Sequence, residues 1–120
     1  MPRILIVDDA MVMRIAIKRM LEKNGFEVVG EAEDGVTAVK KYMELKPDIV
    51  TMDITMPVMS GLEALKAIKE YDTKANIVMV SAMGQEGVVR DAIILGAKSF
   101  IVKPFKEAHV LETLEKVLIK

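Results

Sequence analysis

The sequence contains no cysteine and no tryptophan, and its aromatic residues are two tyrosines and three phenylalanines. Without cysteine, a disulfide framework and a thiolate metal site are both excluded, and we expect the protein in a reducing compartment, the cytoplasm. The chain also lacks an excess of either charge, because 17 basic and 18 acidic residues leave a net charge of −1. No overall field therefore draws it to nucleic acid or to an anionic membrane, and we expect neither as a partner.

Long hydrophobic runs are absent as well, although 52% of the residues are hydrophobic. A charge or a helix breaker interrupts every apolar stretch well before the ~20 residues that a membrane-spanning helix needs. The N-terminus does not have the layout of a signal peptide. The apolar content is therefore predicted to be internal, and a chain of 120 residues has enough of it for one core. We expect one domain over residues 1–120, with no output domain.

Two nucleotide-binding motifs are also missing. No GxGxxG follows the first predicted strand, and Gly96-Ala97-Lys98-Ser99 lacks the adjacent Gly-Lys pair of a phosphate-binding P-loop. The only histidine, His109, falls within a predicted helix, and we expect it at the surface. Dinucleotide-dependent and P-loop functions are therefore not supported.

Five short apolar runs rich in β-branched residues recur along the chain: Ile4–Val7, Val28–Val29, Ile49–Met52, Ile77–Val80 and Phe100–Val102. They do not alternate with polar residues, as is typical of strands covered on both faces. Stretches with helical spacing separate them, with boundary signals at Asn24-Gly25, Lys46-Pro47, Ser60-Gly61 and Gly96. Five strands alternating with five helices predict an α/β fold with a doubly wound parallel sheet.

Apart from Met1, the ten methionines of the sequence fall into two groups. Five occupy apolar-stripe or strand positions and are predicted to fill the core: Met13, Met20, Met43, Met52 and Met79. Four others lie near predicted strand ends: Met11, Met56, Met59 and Met83. These four either line a soft surface for a kinase or phosphatase or simply pack their own loops, and the sequence leaves both possibilities open.

Polar side chains follow four of the predicted strands. Asp8 and Asp9 come after the first, Asp53 after the third, Ser81 after the fourth and Lys103 after the fifth. Each alone is explained as a helix cap or a solvated charge, but the carboxyl ends of parallel strands share one edge of a sheet. Two carboxylates 4 Å apart there would repel by ~4 kcal/mol at an effective dielectric constant of 20. Such a cluster needs a cation, and oxygen ligands without histidine or cysteine favour Mg²⁺.

The same edge has the parts of a phosphoryl-transfer site. Lys103 would supply a point charge for a phosphoryl group and the Ser81 hydroxyl a hydrogen bond. Asp53 is favoured as the nucleophile.

Four blocks of sequence resemble the response-regulator receiver domain: ILIVDD at 4–9, MDITMPVMSG at 52–61, Ser81-Ala82, and KPF at 103–105. The resemblance covers essentially the whole chain. It is closest to the stand-alone chemotaxis receivers of many non-enteric bacteria and of archaea. The resemblance implies the flavodoxin-like (βα)5 fold with strand order 2-1-3-4-5. It also implies a cis peptide bond between Lys103 and Pro104.

The resemblance assigns a role to each site residue. Asp53 would be the phosphoacceptor, with Lys103 and Ser81 holding phosphoryl oxygens. Phe100 would be the switch aromatic residue, which moves into space beside Ala82 when Ser81 shifts. The predicted ligands of Mg²⁺ are Asp8, Asp9, Asp53 and the backbone carbonyl of Thr55.

The resemblance also implies partners. A chemotaxis histidine kinase would donate the phosphoryl group, and a flagellar or archaellar motor switch component would bind the phosphorylated monomer. In this family the positions of Thr55 and Met83 influence hydrolysis of the acyl phosphate. Neither side chain positions water well, so we expect slow self-dephosphorylation and a partner phosphatase. Ile94 and Leu95 flank the buried side of the fourth helix. They are either partly exposed on the responding surface or ordinary core residues, and the sequence leaves both possibilities open.

Two alternatives remain open at this point. The protein would be a phosphorelay intermediate if it passed its phosphoryl group to a histidine phosphotransfer protein. It would be a hydrolase if Asp53 served as the nucleophile toward small phosphate esters. Such hydrolases use a second carboxylate two residues on as a general acid, and Thr55 does not provide one. We therefore expect a signalling phosphoacceptor that promotes its own phosphotransfer and dephosphorylation, rather than an enzyme.

Overall fold

The structure is a computed structural model that describes residues 1–119, and strands and helices alternate strictly along it. The strands are β1 Arg3–Val7, β2 Glu27–Ala32, β3 Ile49–Met52, β4 Ile77–Ser81 and β5 Ser99–Val102. The helices are α1 Met11–Lys23, α2 Gly35–Leu45, α3 Gly61–Tyr71, α4 Glu86–Ile94 and α5 Glu107–Ile119. The predicted alternation is therefore confirmed.

All four strand pairings are parallel, and the sheet order is β2-β1-β3-β4-β5. The order implied by the resemblance is thus confirmed. Because the chain reverses its direction of winding after β2, the ends of β1 and β3 lie side by side at the middle of the sheet. This neighbourhood is where a doubly wound sheet places its binding site.

The sheet divides the hydrophobic core into two layers. On one face, residues such as Leu5, Val50 and Met79 pack with buried residues of α2, α3 and α4. On the other, residues such as Ile6 and Val78 pack with buried residues of α1 and α5. Both faces are covered, which explains why the strands are continuously apolar.

Local sequence signals account for the helix ends. Ser60 and Glu63 form a reciprocal capping box at the start of α3. Asn24 caps the end of α1, and Lys46 ends α2 in a left-handed conformation with a φ of 46°. Gly96 follows α4 with a φ of 111°, which glycine adopts at little cost. The predicted helix boundaries are confirmed at these positions.

The extent of β2 and the burial of Met43 differ from the prediction. β2 runs over six residues, because backbone pairing with β1 continues through the polar residue Glu31 to Ala32. Met43, predicted to fill the core, is 41% exposed, because α2 turns Ala38 and Tyr42 toward the sheet instead. Ile93 of α4 is likewise exposed, and Ala92 makes the buried contact.

The remaining methionines follow the predictions more closely. Met20, Met52 and Met79 are buried, and Met13 packs against the margin of the core.

None of the helices within residues 1–119 is long and apolar enough to cross a membrane.

Candidate functional site

Three carboxylates from two neighbouring strands meet at the carboxyl edge of the sheet. Oxygen atoms of Asp8, Asp9 and Asp53 lie within 4.8 Å of one another. Asp8 and Asp9 follow β1, Asp53 follows β3, and these two strands are paired in register up to Val7 and Met52. The structure therefore brings together the three acidic residues that the sequence singles out.

Asp8 and Asp9 form the turn between β1 and α1. Asp8 is buried, and its carboxylate accepts a hydrogen bond of 2.9 Å from the backbone N–H of Ala10. Its own backbone N–H donates to the carbonyl of Ala32 in β2. Asp9 is exposed at the mouth of the site. The turn thus presents one buried and one exposed carboxylate.

Asp53 is held by backbone groups on both sides. Its N–H donates to the carbonyl of Val7 at 2.9 Å, and its Oδ1 accepts from the N–H of Ile54 at 2.7 Å. The residue is 8% exposed. Burial raises the pKa of the Asp53 carboxyl above its ordinary value, and the charges of Asp8 and Asp9 raise it further, against the opposing effect of Lys103. A cation bound at the cluster would favour the ionised carboxylate and so lower this pKa.

Lys103 is the cation that the protein itself supplies to the cluster. Its Nζ lies 2.7 Å from Oδ2 of Asp8 and 3.5 Å from Oδ2 of Asp53. The backbone N–H of Lys103 donates to the carbonyl of Ser81, and the peptide bond to Pro104 is cis, as the resemblance implies. A lysine between two carboxylates is placed to meet an anion that joins Asp53.

Ser81 and Thr55 lie on the far side of Asp53 from β1. Ser81 is buried at the end of β4, and its Oγ accepts a hydrogen bond from the N–H of Met83. Ala82 is exposed. Thr55 is exposed in the loop after β3, and its hydroxyl donates to the sulfur of Met83 at 3.2 Å. Neither Thr55 nor Met83 carries a carboxylate or amide that would orient water.

Gly61 connects the loop after β3 back to the site. Its N–H donates to the carbonyl of Ile54 at 2.7 Å. A Cβ at this position would come within 1.8 Å of the carbonyl oxygen of Asp53, so no other residue fits without moving the backbone. This close approach gives the glycine of the MDITMPVMSG block a physical reason.

Phe100 lies on β5, opposite Met79 of β4 in the sheet register. It is partly buried and packs against the core layer under α2, α3 and α4. Ile94 is 74% exposed on α4, whereas Leu95 is partly buried. The expectation of an exposed apolar position is therefore confirmed for Ile94.

The four methionines around the strand ends separate into two pairs. Met56 and Met59 pack against the core, whereas Met11 and Met83 are exposed. His109 is exposed on α5, as predicted.

The donor set fits Mg²⁺ better than a softer metal. It consists of carboxylate oxygens alone, with neither histidine nor cysteine among them, and Mg²⁺ prefers carboxylate oxygens with water or phosphate completing its shell. The residues present are therefore consistent with Mg²⁺ binding.

Two kinds of contact in the site are not evident in the sequence. The backbone N–H groups of Ala10, Ile54 and Met83 orient the three functional oxygens, and a backbone group leaves no residue-type signal. Arg14 of α1 also donates to the carbonyl of Asp8, at 2.7 Å. The sequence indicates this contact only through the position of Arg14 near the start of a predicted helix, because helical side chains extend back over the preceding turn.

Comparisons with known proteins place these observations in context. The sequence model of the response regulator receiver domain matches residues 4–115. The chain is 63% identical over 116 residues to the chemotaxis protein CheY of Bacillus subtilis, covering 97% of each chain. It is 57% identical over 115 residues to CheY of Thermotoga maritima, with 96% of each chain covered.

The fold of the chain is also similar to that of a solved structure. In the crystal structure of the CheX-CheY-BeF3-Mg complex from Borrelia burgdorferi, one chain superposes with a TM-score of 0.96 at 42% identity. The match covers 98% of this chain and 90% of that one.

Proposed function

The chain belongs to the response-regulator receiver family, and from that premise we propose that it is a phosphorylation-activated chemotaxis response regulator. The observation that carries the proposal is the acidic cluster with Lys103 beside it, at the edge of the sheet. The similarity to CheY proteins over nearly the whole chain supports the chemotaxis role. No contact among residues 1–119 favours the phosphorelay alternative.

The proposed reaction is transfer of a phosphoryl group from a phosphohistidine of a kinase to Asp53. A carboxylate oxygen of Asp53 attacks phosphorus, the P–O bond forms and the P–N bond breaks. The imidazole nitrogen keeps the electron pair and takes up a proton. Asp53 must be ionised to attack, and the nearby Nζ of Lys103 favours that ionised form.

The proposed metal ligands are the carboxylates of Asp8, Asp9 and Asp53 and the backbone carbonyl of Thr55. Bound Mg²⁺ supplies positive charge for the phosphoryl oxygens. Lys103 then has two duties in sequence: it pairs with Asp8 before transfer and holds a phosphoryl oxygen after it. The Ser81 hydroxyl, which needs a small shift from its contact with the N–H of Met83, holds another.

The proposed output is a change at the surface formed by α4, β5 and α5. Movement of Ser81 would open space beside Ala82 for the ring of Phe100, which is only partly buried in the present packing. The exposed side chain of Ile94 lies on α4, within the same surface. We propose that a flagellar or archaellar motor switch component binds there and that the protein works in the cytoplasm as a monomer.

Phosphorylation with a small acyl phosphate tests the proposal. In the presence of Mg²⁺ the wild-type protein is expected to gain one phosphoryl group, seen by mass spectrometry of the intact chain. Asp53→Asn should gain none. Asp91→Asn, which removes an exposed carboxylate from α4 outside the cluster, should behave as wild type. Sustained hydrolysis of phosphomonoesters would instead support the hydrolase alternative.

The lifetime of the acyl phosphate is a separate test. Because the hydroxyl of Thr55 is engaged by the sulfur of Met83, neither orients water for hydrolysis, so a partner phosphatase is proposed to shorten the signal. The double variant Thr55→Asn, Met83→Glu should lose its phosphoryl group faster than wild type, because it adds an amide and a carboxylate at these positions. Thr37→Asn in α2 is the control for the first change. A decay rate equal to that of wild type would contradict this role.

A further inference from the structure

A side chain of α1, rather than an N-cap residue, fixes the turn that carries Asp8 and Asp9. Helix α1 begins after Ala10 without a side-chain cap and with no acidic residue in its first turn. The structure instead ties the turn to the second turn of the helix, where Nη1 of Arg14 donates to the carbonyl oxygen of Asp8 at 2.7 Å. This carbonyl belongs to the peptide that joins Asp8 to Asp9. Because a peptide unit is planar, fixing its oxygen also fixes the amide end of Asp9.

Arg14 is itself held in place by β2. Its Nε donates to Oε1 of Glu31 at 3.2 Å, and its side chain is only 13% exposed. Glu31 lies opposite Ile6 in the sheet, and Nζ of Lys41 donates to its backbone carbonyl. The guanidinium therefore bridges a rigid strand and the turn, as its fixed fork of donors allows.

We infer that Arg14, oriented by Glu31, is a positioning residue that holds the Asp8-Asp9 turn in the conformation that binds Mg²⁺. The inference rests on the proposed function, because it presumes that the cluster binds the metal. Asp9 needs such support more than Asp8 does. Asp8 is fixed by burial, by Ala10 and by Lys103, whereas Asp9 is exposed and depends on the direction of its peptide.

The sign of the charge effect makes the inference testable. Arg14 is a cation close to the carboxylates, so its charge alone opposes binding of another cation. Replacing it by a neutral residue should tighten Mg²⁺ binding if charge is all that matters. Replacing it should weaken Mg²⁺ binding if its hydrogen bond to Asp8 positions the ligands. Loss of residues that orient metal ligands typically weakens affinity by about 10- to 100-fold.

Calorimetric titration with MgCl2, without a phosphodonor, measures this affinity directly. Arg14→Met is expected to bind Mg²⁺ about tenfold more weakly than wild type. The matched control is Lys18→Met, since Lys18 reaches the other oxygen of Glu31 at 4.0 Å and donates no hydrogen bond to Asp8 within the described chain. Its affinity should equal or exceed that of wild type. Arg14→Lys keeps the charge without the fork, so it should recover only part of the loss.

Urea unfolding of each variant separates positioning from a general loss of stability, because an unstable but correctly positioned protein keeps its affinity while folded. An Arg14→Met protein that binds Mg²⁺ as tightly as wild type, or more tightly, overturns the inference. If Arg14→Met does not fold, Arg14→Lys decides, and wild-type affinity in that variant overturns the inference equally. Failure of the wild-type protein to bind Mg²⁺ would contradict the proposed function itself.

Discussion

Among single residues, Asp53 shows how the proposed function opposes stability, because the reaction needs its carboxylate ionised where burial disfavours the charge. Its carboxyl is buried beside two other carboxylates, and these influences raise its pKa above the ordinary value. A carboxyl whose pKa is higher in the folded than in the unfolded state binds protons more readily when folded. Its charge therefore costs stability above the folded pKa, and the cost disappears as pH falls through that value.

Asp53→Asn should accordingly stabilise the metal-free protein at neutral pH. We expect its midpoint of thermal unfolding at pH 7 to rise by roughly 5 °C, the shift that about 1 kcal/mol produces in a domain of this size. The difference from wild type should shrink as pH is lowered through the raised pKa of Asp53. Asp91→Asn serves as the control, and its midpoint should not change. A lower midpoint for Asp53→Asn at pH 7 would show that attraction to Lys103 outweighs burial.

Val58 is a second residue whose conformation is costly. It has a φ of 68° and is 87% exposed, and the N–H of Met59 donates across it to the carbonyl of Pro57 at 2.7 Å. This is the hydrogen bond of a γ-turn. A β-branched residue rarely adopts a positive φ, and the γ-turn with a positive φ at its central residue is a strained conformation.

Val58→Asn is therefore expected to raise the free energy of unfolding by about 1 kcal/mol, because asparagine adopts a positive φ more often than a β-branched residue does. Chemical denaturation measures the change. Val12→Asn applies the same substitution to an exposed valine in a right-handed helix and should be close to neutral. Equal effects at the two positions would show that the backbone of Val58 is not strained.

Between elements, one hydrogen bond joins the two neighbouring helices α2 and α3. The hydroxyl of Tyr42, in α2, donates to Oδ2 of Asp72 at the end of α3, at 2.7 Å. The rings of Tyr42 and Tyr71 also meet edge to face, with centroids 6.4 Å apart. The hydrogen bond from Tyr42 lowers the pKa of Asp72, with smaller contributions from the N–H of Lys74 and nearby lysines. The stability it provides is therefore present above the ordinary pKa of aspartate and is lost as pH falls through the folded pKa.

Tyr42→Phe should lower the free energy of unfolding by about 1 kcal/mol at pH 7. The difference from wild type should diminish in acid, once Asp72 is protonated. Urea unfolding at a series of pH values measures both effects. Tyr71→Phe is the control, because the hydroxyl of Tyr71 takes no part in this hydrogen bond. A deficit that stayed constant down to the lowest pH would exclude the ionised Asp72 as its source.

Some features of the strands, helices and site could be predicted from the sequence, and others could not. Strands β1, β3 and β4 and the helix boundaries were predictable, because apolar runs, caps and glycine act locally. The gathering of Asp8, Asp53 and Lys103 was predictable because parallel strands share an edge. The hydrogen bonds from Arg14 to Glu31 and from Tyr42 to Asp72 were not predictable, since they join residues 17 and 30 positions apart and depend on side-chain geometry. The positive φ of Val58 was hidden because its residue type argues against it.

For the molecule as a whole, a net charge of −1 hides a strong local imbalance at one edge of the sheet. A ligand that binds the folded but not the unfolded chain stabilises it by about 2.7 kcal/mol when present at 100 times its dissociation constant. Mg²⁺ should therefore raise the thermal midpoint of the wild-type protein well beyond the effect of KCl at matched ionic strength. Differential scanning calorimetry measures the shift.

Asp9→Asn provides the control for this stabilisation, because it removes the exposed carboxylate and leaves the buried ones in place. Its midpoint should respond to MgCl2 much less than that of wild type. If MgCl2 and matched KCl shift the wild-type midpoint equally, the cluster does not bind Mg²⁺ selectively.

The close approach of Gly61 to the carbonyl of Asp53 has a mechanical consequence for the molecule. The contact holds the start of α3 against the residue that follows β3, and the capping box of Ser60 and Glu63 fixes the first turn of the helix. On the opposite flank, residues 82–86 are exposed, and the N-cap residue of α4, Gln85, makes no side-chain capping hydrogen bond. The start of α3 is therefore held to its surroundings by more contacts than the start of α4. If Asp53 is phosphorylated as proposed, we expect the structure to adjust at β4 and α4 rather than at β3 and α3.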